Sequence, residues 1–230
     1  MGILFNLLSI STGGILGACL RKKISFKNFS VLGIGIMIIS LVGFFENIYN
    51  ITDSRLESTN LIIVILSMII GNWIGESLHL GDRLSNLSRK ENKSLNSFLD
   101  TTFFFGIGGL QISGPVLLAL NNDSSQLILK SLLDYPFALM FGVCYGKFVS
   151  LSAVPVAVLQ IFIAFFTYCT RDFFSDALVC QLCALGYIVL FFTGFNLMSE
   201  IKNKIDNTNM LFGIVIILLF NAVSYVWGLI

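Results

Sequence analysis

Residues 127–169 read LILKSLLDYPFALMFGVCYGKFVSLSAVPVAVLQIFIAFFTYC, an apolar stretch carrying three charged side chains, Lys130, Asp134 and Lys147. A helix of about 20 apolar residues crosses the hydrocarbon core of a bilayer, so a run of this length is predicted to cross twice. Gly146, Lys147, Ser150, Ser152 and Pro155 mark where the chain turns back. Outward from this pair, the same pattern recurs near 2–20, 29–49, 59–78, 98–120, 177–199 and 209–229. With 127–147 and 149–169 these make eight predicted spans.

Composition agrees with the pattern. Of 230 residues, 56% are AVILMFWYC and only 12% are charged, and mean hydropathy is +0.87. A globular domain carries about a quarter charged residues, and half that share cannot coat a water-facing surface. The longest polar stretch runs from Leu80 to Ser97, a loop with at most a short surface helix, which leaves no room for a soluble module. The expectation is therefore an all-α polytopic membrane protein, residues 1–230 forming a single integral membrane domain in contact with lipid. A net charge of +1 offers no basic field for nucleic acid.

Orientation follows from the basic residues. Arg21, Lys22, Lys23, Lys27, Arg83, Arg89, Lys90, Lys93, Lys147, Lys202 and Lys204 all fall in loops on one side of the eight-span arrangement. The opposite loops hold only Arg55 and Arg171 beside several acidic residues. The positive-inside rule then places both termini outside the cytoplasm of a cell inner membrane. The cations that follow the first run, with no small-residue cleavage site, predict that this run stays as a helix.

Spans 1–3 can be laid on spans 6–8 as an inverted repeat. Leu32-Gly33 and Gly43-Phe44 then match Leu185-Gly186 and Gly194-Phe195, and Asn60-Leu61 matches Asn209-Met210. An offset of five spans, being odd, inverts one copy relative to the other.

Within span 4, residues 103–115 read FFFGIGGLQISGP, too rich in glycine and proline for a regular helix, so a break is predicted there. Half-helix ends at membrane depth are ready ligands for ions and substrates, and Gln111 and Ser113 lie in this stretch. Asp100 and Thr101 are expected to cap the helix start. In span 5, Lys130 and Asp134 share one face four residues apart and can pair, although a lysine near a span end can also snorkel to the surface. Asn72 and Glu76 of span 3, Gln160 of span 6 and Asn196 of span 7 are the other polar groups assigned to a cavity. Uncharged side chains such as Gln160, Asn196 and Asn221 more often serve as interhelical glue. Gly13/Gly17, Gly71/Gly75 and Gly142/Gly146 are small-xxx-small pairs that favour close helix packing.

Enzymatic chemistry finds few parts. His79 is the one histidine, at a membrane edge, and no Gly-rich loop ending in Lys-Ser/Thr offers a nucleotide site. Cys180 and Cys183 have a CxxC spacing without a second ligand pair, so no metal and no cofactor is expected.

Gly71 to Glu76, Gly108 to Gly114, Asp123, the run Lys130 to Asp134, Ser152 to Pro155 with Gln160, and Asn209-Met210-Leu211 together resemble the YqgA/YdfK-like family of bacterial inner-membrane proteins. The resemblance covers most of the chain. It implies a multi-spanning helical protein and supplies no substrate, the family's function being unknown. The family pattern places an acidic residue where this chain has Leu118 and a proline where it has Phe212. The resemblance thus implies an altered ion site here if that carboxylate forms part of one.

The functional expectation is a secondary transporter or channel for a small solute or ion, its cavity formed by broken span 4, the Lys130/Asp134 pair and the polar groups of spans 3, 6 and 7. The alternative is a membrane scaffold or accessory subunit in which the same groups only fix helix register. Either leaves homo-oligomerisation open.

Overall fold

A glycine stripe organises the first helix. α1 (Gly2–Leu20) buries Gly2, Asn6, Ile10, Gly13, Gly14 and Gly17 and turns Leu4, Phe5, Leu8 and Ile15 outward. Small and polar groups face protein while large apolar ones face out, the reverse of a soluble helix. It is what a lipid-facing helix requires, where association comes from close packing and not from hiding apolar surface. The structure is a computed structural model that describes residues 1–21, 30–52, 55–58, 61–79, 93–106, 109–198, 205 and 207–226.

After α1 come α2 (Ser30–Ile48), a two-stranded antiparallel hairpin of β1 (Tyr49–Thr52) and β2 (Arg55–Ser58), and α3 (Leu61–Ser77). Next are α4 (Lys93–Gly106), α5 (Gly109–Asn121), α6 (Ser125–Tyr145) and α7 (Ala153–Cys169). The chain ends with α8 (Asp176–Met198), the short α9 (Asn207–Met210) and α10 (Phe212–Val226). Among the described residues, five helical segments are long and apolar enough to cross a membrane: Gly2–Leu20, Ser125–Tyr145, Lys147–Cys169, Asp176–Leu197 and Asn207–Tyr225. A sixth is the pair Leu95–Gly106 and Leu110–Asn121, bent by 55° at the glycine-rich stretch where the break is predicted. Two shorter apolar helices, Gly33–Ile48 and Leu61–Ser77, coincide with predicted spans 2 and 3.

The turn inside 127–169 forms as expected. α6 ends at Tyr145, Gly146 takes φ +91, a left-handed value that glycine adopts without a Cβ penalty, and a 3-10 segment from Lys147 to Ser152 leads into α7. Pro155 falls in the first turn of α7, where its missing N–H costs nothing. Asp100 and Thr101 correct the expectation of a cap. α4 begins at Lys93, so both lie mid-helix, and the Thr101 hydroxyl donates back to the Ser97 carbonyl at 2.7 Å. The polar stretch 80–92 lies outside the described residues.

The helices divide into two compact units. The first holds α1 and α4–α7, the second α2, α3 and α8–α10 with the hairpin. In the first, α1 and α6 run parallel: Gly2 lies beside Leu127, Gly13 beside Tyr135 and Ala138, and Gly17 beside Leu139 and Gly142. In the second, α2 and α8 run antiparallel, Gly43 beside Tyr187 and Gly194 beside Gly33. Gly71 of α3 likewise meets Gly213 of α10, and Gly75 meets Asn209 of α9. All three predicted small-residue pairs thus contribute a glycine to a close contact.

A Cβ at Gly17 would fall on the Leu139 carbonyl, a backbone atom that no rotamer change can clear. Gly17→Ala should therefore cost about 1–3 kcal/mol, the usual scale of overpacking. At Gly35, where a Cβ meets nothing within 4 Å, Ala should be neutral or slightly stabilising. Thermal unfolding of the two variants in detergent checks the contrast; equal midpoints would mean that the α1–α6 contact is looser than described.

Candidate functional site: a buried polar network at the broken helix

The site is assembled where α4 stops. The last four carbonyls of a helix lack intrahelical N–H partners, and the helix dipole adds partial negative charge at this end. Lys130, on α6, meets both needs: its Nζ donates to the Phe105 carbonyl at 3.1 Å and pairs with Asp134 Oδ2 at 2.8 Å. Lys130 and Asp134 are each only 6% exposed, so the lysine turns into the protein and does not snorkel. Side chains on a helix lean toward its N-terminus, which brings Asp134 up onto Lys130 one turn earlier.

From Asp134 the network continues through three amides. Asn6 Nδ2 donates to Asp134 Oδ2 at 2.7 Å, and Gln160 Nε2 donates to Asn6 Oδ1 at 3.0 Å. The same Gln160 nitrogen donates to Gln111 Oε1 at 2.9 Å, and Gln111 Nε2 donates to the Val156 carbonyl at 3.1 Å. Gln111 sits in the first turn of α5, just past the break, and Gln160 near the middle of α7; both are fully buried. One chain of polar contacts therefore links α1, α4, α5, α6 and α7. Beside it Ser113 Oγ donates to Gln126 Oε1 at 2.5 Å, joining α5 to the start of α6.

Aromatic rings close one flank. Phe104 packs on Phe105, Phe137 and Phe141, and Phe141 stacks on Tyr145. Since Phe137 and Phe141 follow Asp134 by about one and two turns, the rings lie on the C-terminal side of the ion pair along α6. They give it an apolar, water-excluding wall.

Four predicted site residues, Gln111, Lys130, Asp134 and Gln160, thus meet in one network, and Ser113 bonds next to it. The other three lie in the second unit. Asn196 exchanges two hydrogen bonds with the backbone of Ile205, at 2.7 and 3.0 Å, which pins the chain after α8. Asn72 is half-buried and Glu76 exposed on α3. Asn221 donates to Gln181 Oε1 at 2.8 Å, the interhelical glue expected of it. Cys180 and Cys183 form no disulfide, and no group of three or more His, Cys, Asp or Glu side chains able to hold a metal occurs among the described residues. Asn6 is the member that the sequence reading passed over. Its signal is present: it lies at helical spacing on the Gly2/Ile10/Gly13/Gly17 stripe, the face that packs.

Fold and site together define a polytopic α-helical membrane protein with an ion pair buried against the end of a discontinuous helix. The chain belongs to the family described as Protein of unknown function (DUF554), whose model matches residues 1–222. It is 27% identical over 210 residues to the uncharacterised membrane protein YdfK of Bacillus subtilis (strain 168), covering 90% of each chain. To the uncharacterised protein YqgA of Escherichia coli (strain K12) it is 23% identical over 219 residues, covering 86% of each. No solved structure matches the chain.

Proposed function

We propose that the protein is a secondary transporter or channel for a small solute or ion, with the network around Lys130 and Asp134 as its translocation site. The observation that carries this is the ion pair, placed on the free carbonyl end of α4 and surrounded by uncharged amides. Intramembrane charges are costly and concentrate where ions, protons or substrates are handled. Half-helix ends are the usual ligands of transporters built on broken spans.

Eight spans follow if α2 and α3 cross along with the six segments that satisfy the length criterion. The inverted repeat of spans 1–3 and 6–8 draws support from packing. The Gly43–Tyr187 contact, carried through the proposed correspondence, becomes one between Gly194 and Ile34, which falls one residue from the Gly33 that Gly194 meets. Such reciprocity is expected across a two-fold relation. Asn6 and Gln160, hydrogen-bonded and 154 residues apart, stand within one residue of the separation between Leu32 and Leu185. The orientation proposed in the inner membrane, both termini outside, is read by single cysteines in a Cys-free background. Ser54 and Ser124 should label with an impermeant thiol reagent from outside, and Ser88 and Asn203 should not. External labelling at position 88 would overturn the eight-span topology.

Flux decides between transport and the scaffold alternative. Proteoliposomes holding the protein should move at least one member of a panel of small ions and solutes faster than empty vesicles. The Lys130→Met/Asp134→Asn double variant should fold and not move it. A wild-type protein that moves no member of the panel above background would favour the scaffold or accessory subunit.

A further inference from the structure

The polarity of the amide network is fixed from both ends. A carboxylate at Asp134 only accepts, so Asn6 turns its Nδ2 there and its Oδ1 toward Gln160. The Val156 carbonyl also only accepts, so Gln111 turns its Nε2 there and its Oε1 toward Gln160. Gln160 must therefore serve two acceptors with one nitrogen, and its Oε1 is left fully buried with no hydrogen-bond partner. Flipping the Gln160 amide would set its oxygen against two oxygens and leave the nitrogen idle. The orphan is a consequence of the whole chain of contacts, not of one side-chain placement. A buried acceptor left unpaired is costly, and the group that relieves it must bring positive charge or a donor. An anion at this atom would be repelled.

The ion pair points the same way. The Lys130 ammonium is held by the Asp134 carboxylate and the Phe105 carbonyl at the negative end of α4. A carboxylate and a half-helix carbonyl are the hard oxygen ligands of an alkali cation, and a primary ammonium is close in size to potassium. The charge count selects the valence. Asp134 is the one carboxylate in the network, and divalent ions held by protein alone ordinarily draw on several.

We infer that the network is a binding site for a small monovalent inorganic cation. The cation replaces the Lys130 ammonium on Asp134 and the Phe105 carbonyl, with Gln160 Oε1 as a further oxygen acceptor of the same network, while the displaced ammonium keeps its charge and extends toward the interface at the start of α6, five residues away. Lys130 is then a tethered competitor that keeps the site neutral while the cation is away. The inference takes its location from the transport reading but needs only binding, so the two fail separately.

The test uses full-length protein in detergent, with sodium, potassium and choline chlorides exchanged at constant ionic strength. Lys130→Met removes the competitor and strands Asp134. In choline it should unfold several degrees below wild type, and sodium or potassium should restore it, because a ligand that binds only the folded state raises its stability. Lys130→Met/Asp134→Asn should melt at one temperature in all three salts. Wild type should show saturable binding of radiolabelled sodium or rubidium, weakened by Gln160→Leu. Lys130→Met should bind about tenfold more tightly, since a site freed of its resident cation no longer spends part of its population in a closed form. Identical melting of Lys130→Met in the three salts, with no saturable binding to wild type, overturns the inference. If Lys130→Met does not fold, the wild-type measurement decides: binding that Gln160→Leu weakens supports the site, and no binding sinks it. Cation binding without flux of anything would refute only the transport reading. Flux of a solute with no alkali-cation binding would refute only this inference.

Discussion

Asp134→Asn should lower the stability of the protein by about 3 kcal/mol, the lower end of the cost of breaking a buried ion pair by removing one partner. Asparagine keeps the shape and can still accept from Asn6, so the change isolates the charge. It leaves the Lys130 ammonium in a 6% exposed position with only uncharged oxygens, the Phe105 carbonyl among them, and phenylalanine rings nearby. The low end of the range applies because the unfolded reference in a membrane is a set of separated helices, in which Lys130 can reach the interface by snorkelling. Lys130→Met should cost a similar amount, for it strands the carboxylate. The double variant should recover most of the loss, since it leaves neither charge buried without its partner and the remaining amide can still accept from Asn6. Thermal or denaturant unfolding of the four proteins in one detergent reads the cycle. Full additivity of the two single losses would mean that the residues do not work as a pair. Stability recovered together with flux would reduce the pair to architecture, and stability recovered without flux is the outcome expected of a translocation site.

Much of this arrangement is legible in the sequence because membranes impose one-dimensional rules. Helices must satisfy their own backbone, so apolar runs become helices close to the predicted limits, as α1 and α6 show, and a run too rich in glycine breaks, as between Gly106 and Gly109. Lys130 and Asp134 are visible because charge in an apolar run is rare. What the sequence does not disclose is which helices meet. Asn6 looks like one polar residue among many until α1 packs parallel to α6 and brings it onto Asp134. Conversely, Asn72, Glu76 and Asn196 have the same composition signal as Gln111 and Gln160, yet they belong to the other unit. The error at Asp100 and Thr101 has a local cause. Hydropathy places the start of the span near residue 98, whereas α4 starts at Lys93, seven residues before Asp100, among polar residues that a helix tolerates outside the hydrocarbon core.

The second large effect is expected at Gln160. Gln160→Leu removes the donor shared by Asn6 Oδ1 and Gln111 Oε1 and leaves two acceptors buried in place of one. In water-soluble proteins each unpaired buried acceptor costs about 1–3 kcal/mol. Interhelical hydrogen bonds in a bilayer average about 0.6 kcal/mol, because separated helices find substitute partners. With one orphan relieved and two created, and leucine filling most of the volume, a loss of about 1–2 kcal/mol is expected. The more telling number is the coupling to Asn6. Asn6→Leu removes a donor from Asp134 and one of the acceptors that Gln160 serves, so once it is made, Gln160→Leu has less left to lose. The double variant should fall short of the summed losses by about 1 kcal/mol, within the range for residues in one hydrogen-bond network. Asn221→Leu is the control. Asn221 bonds Gln181 and the Ile217 carbonyl, neither of which is a network residue, and its loss should add to that of Gln160→Leu within about 0.5 kcal/mol. If Asn6 and Gln160 proved as independent as Asn221 and Gln160, the amides would not act as one chain. The forced orientation of Gln160 Oε1, on which the cation inference stands, would go with it.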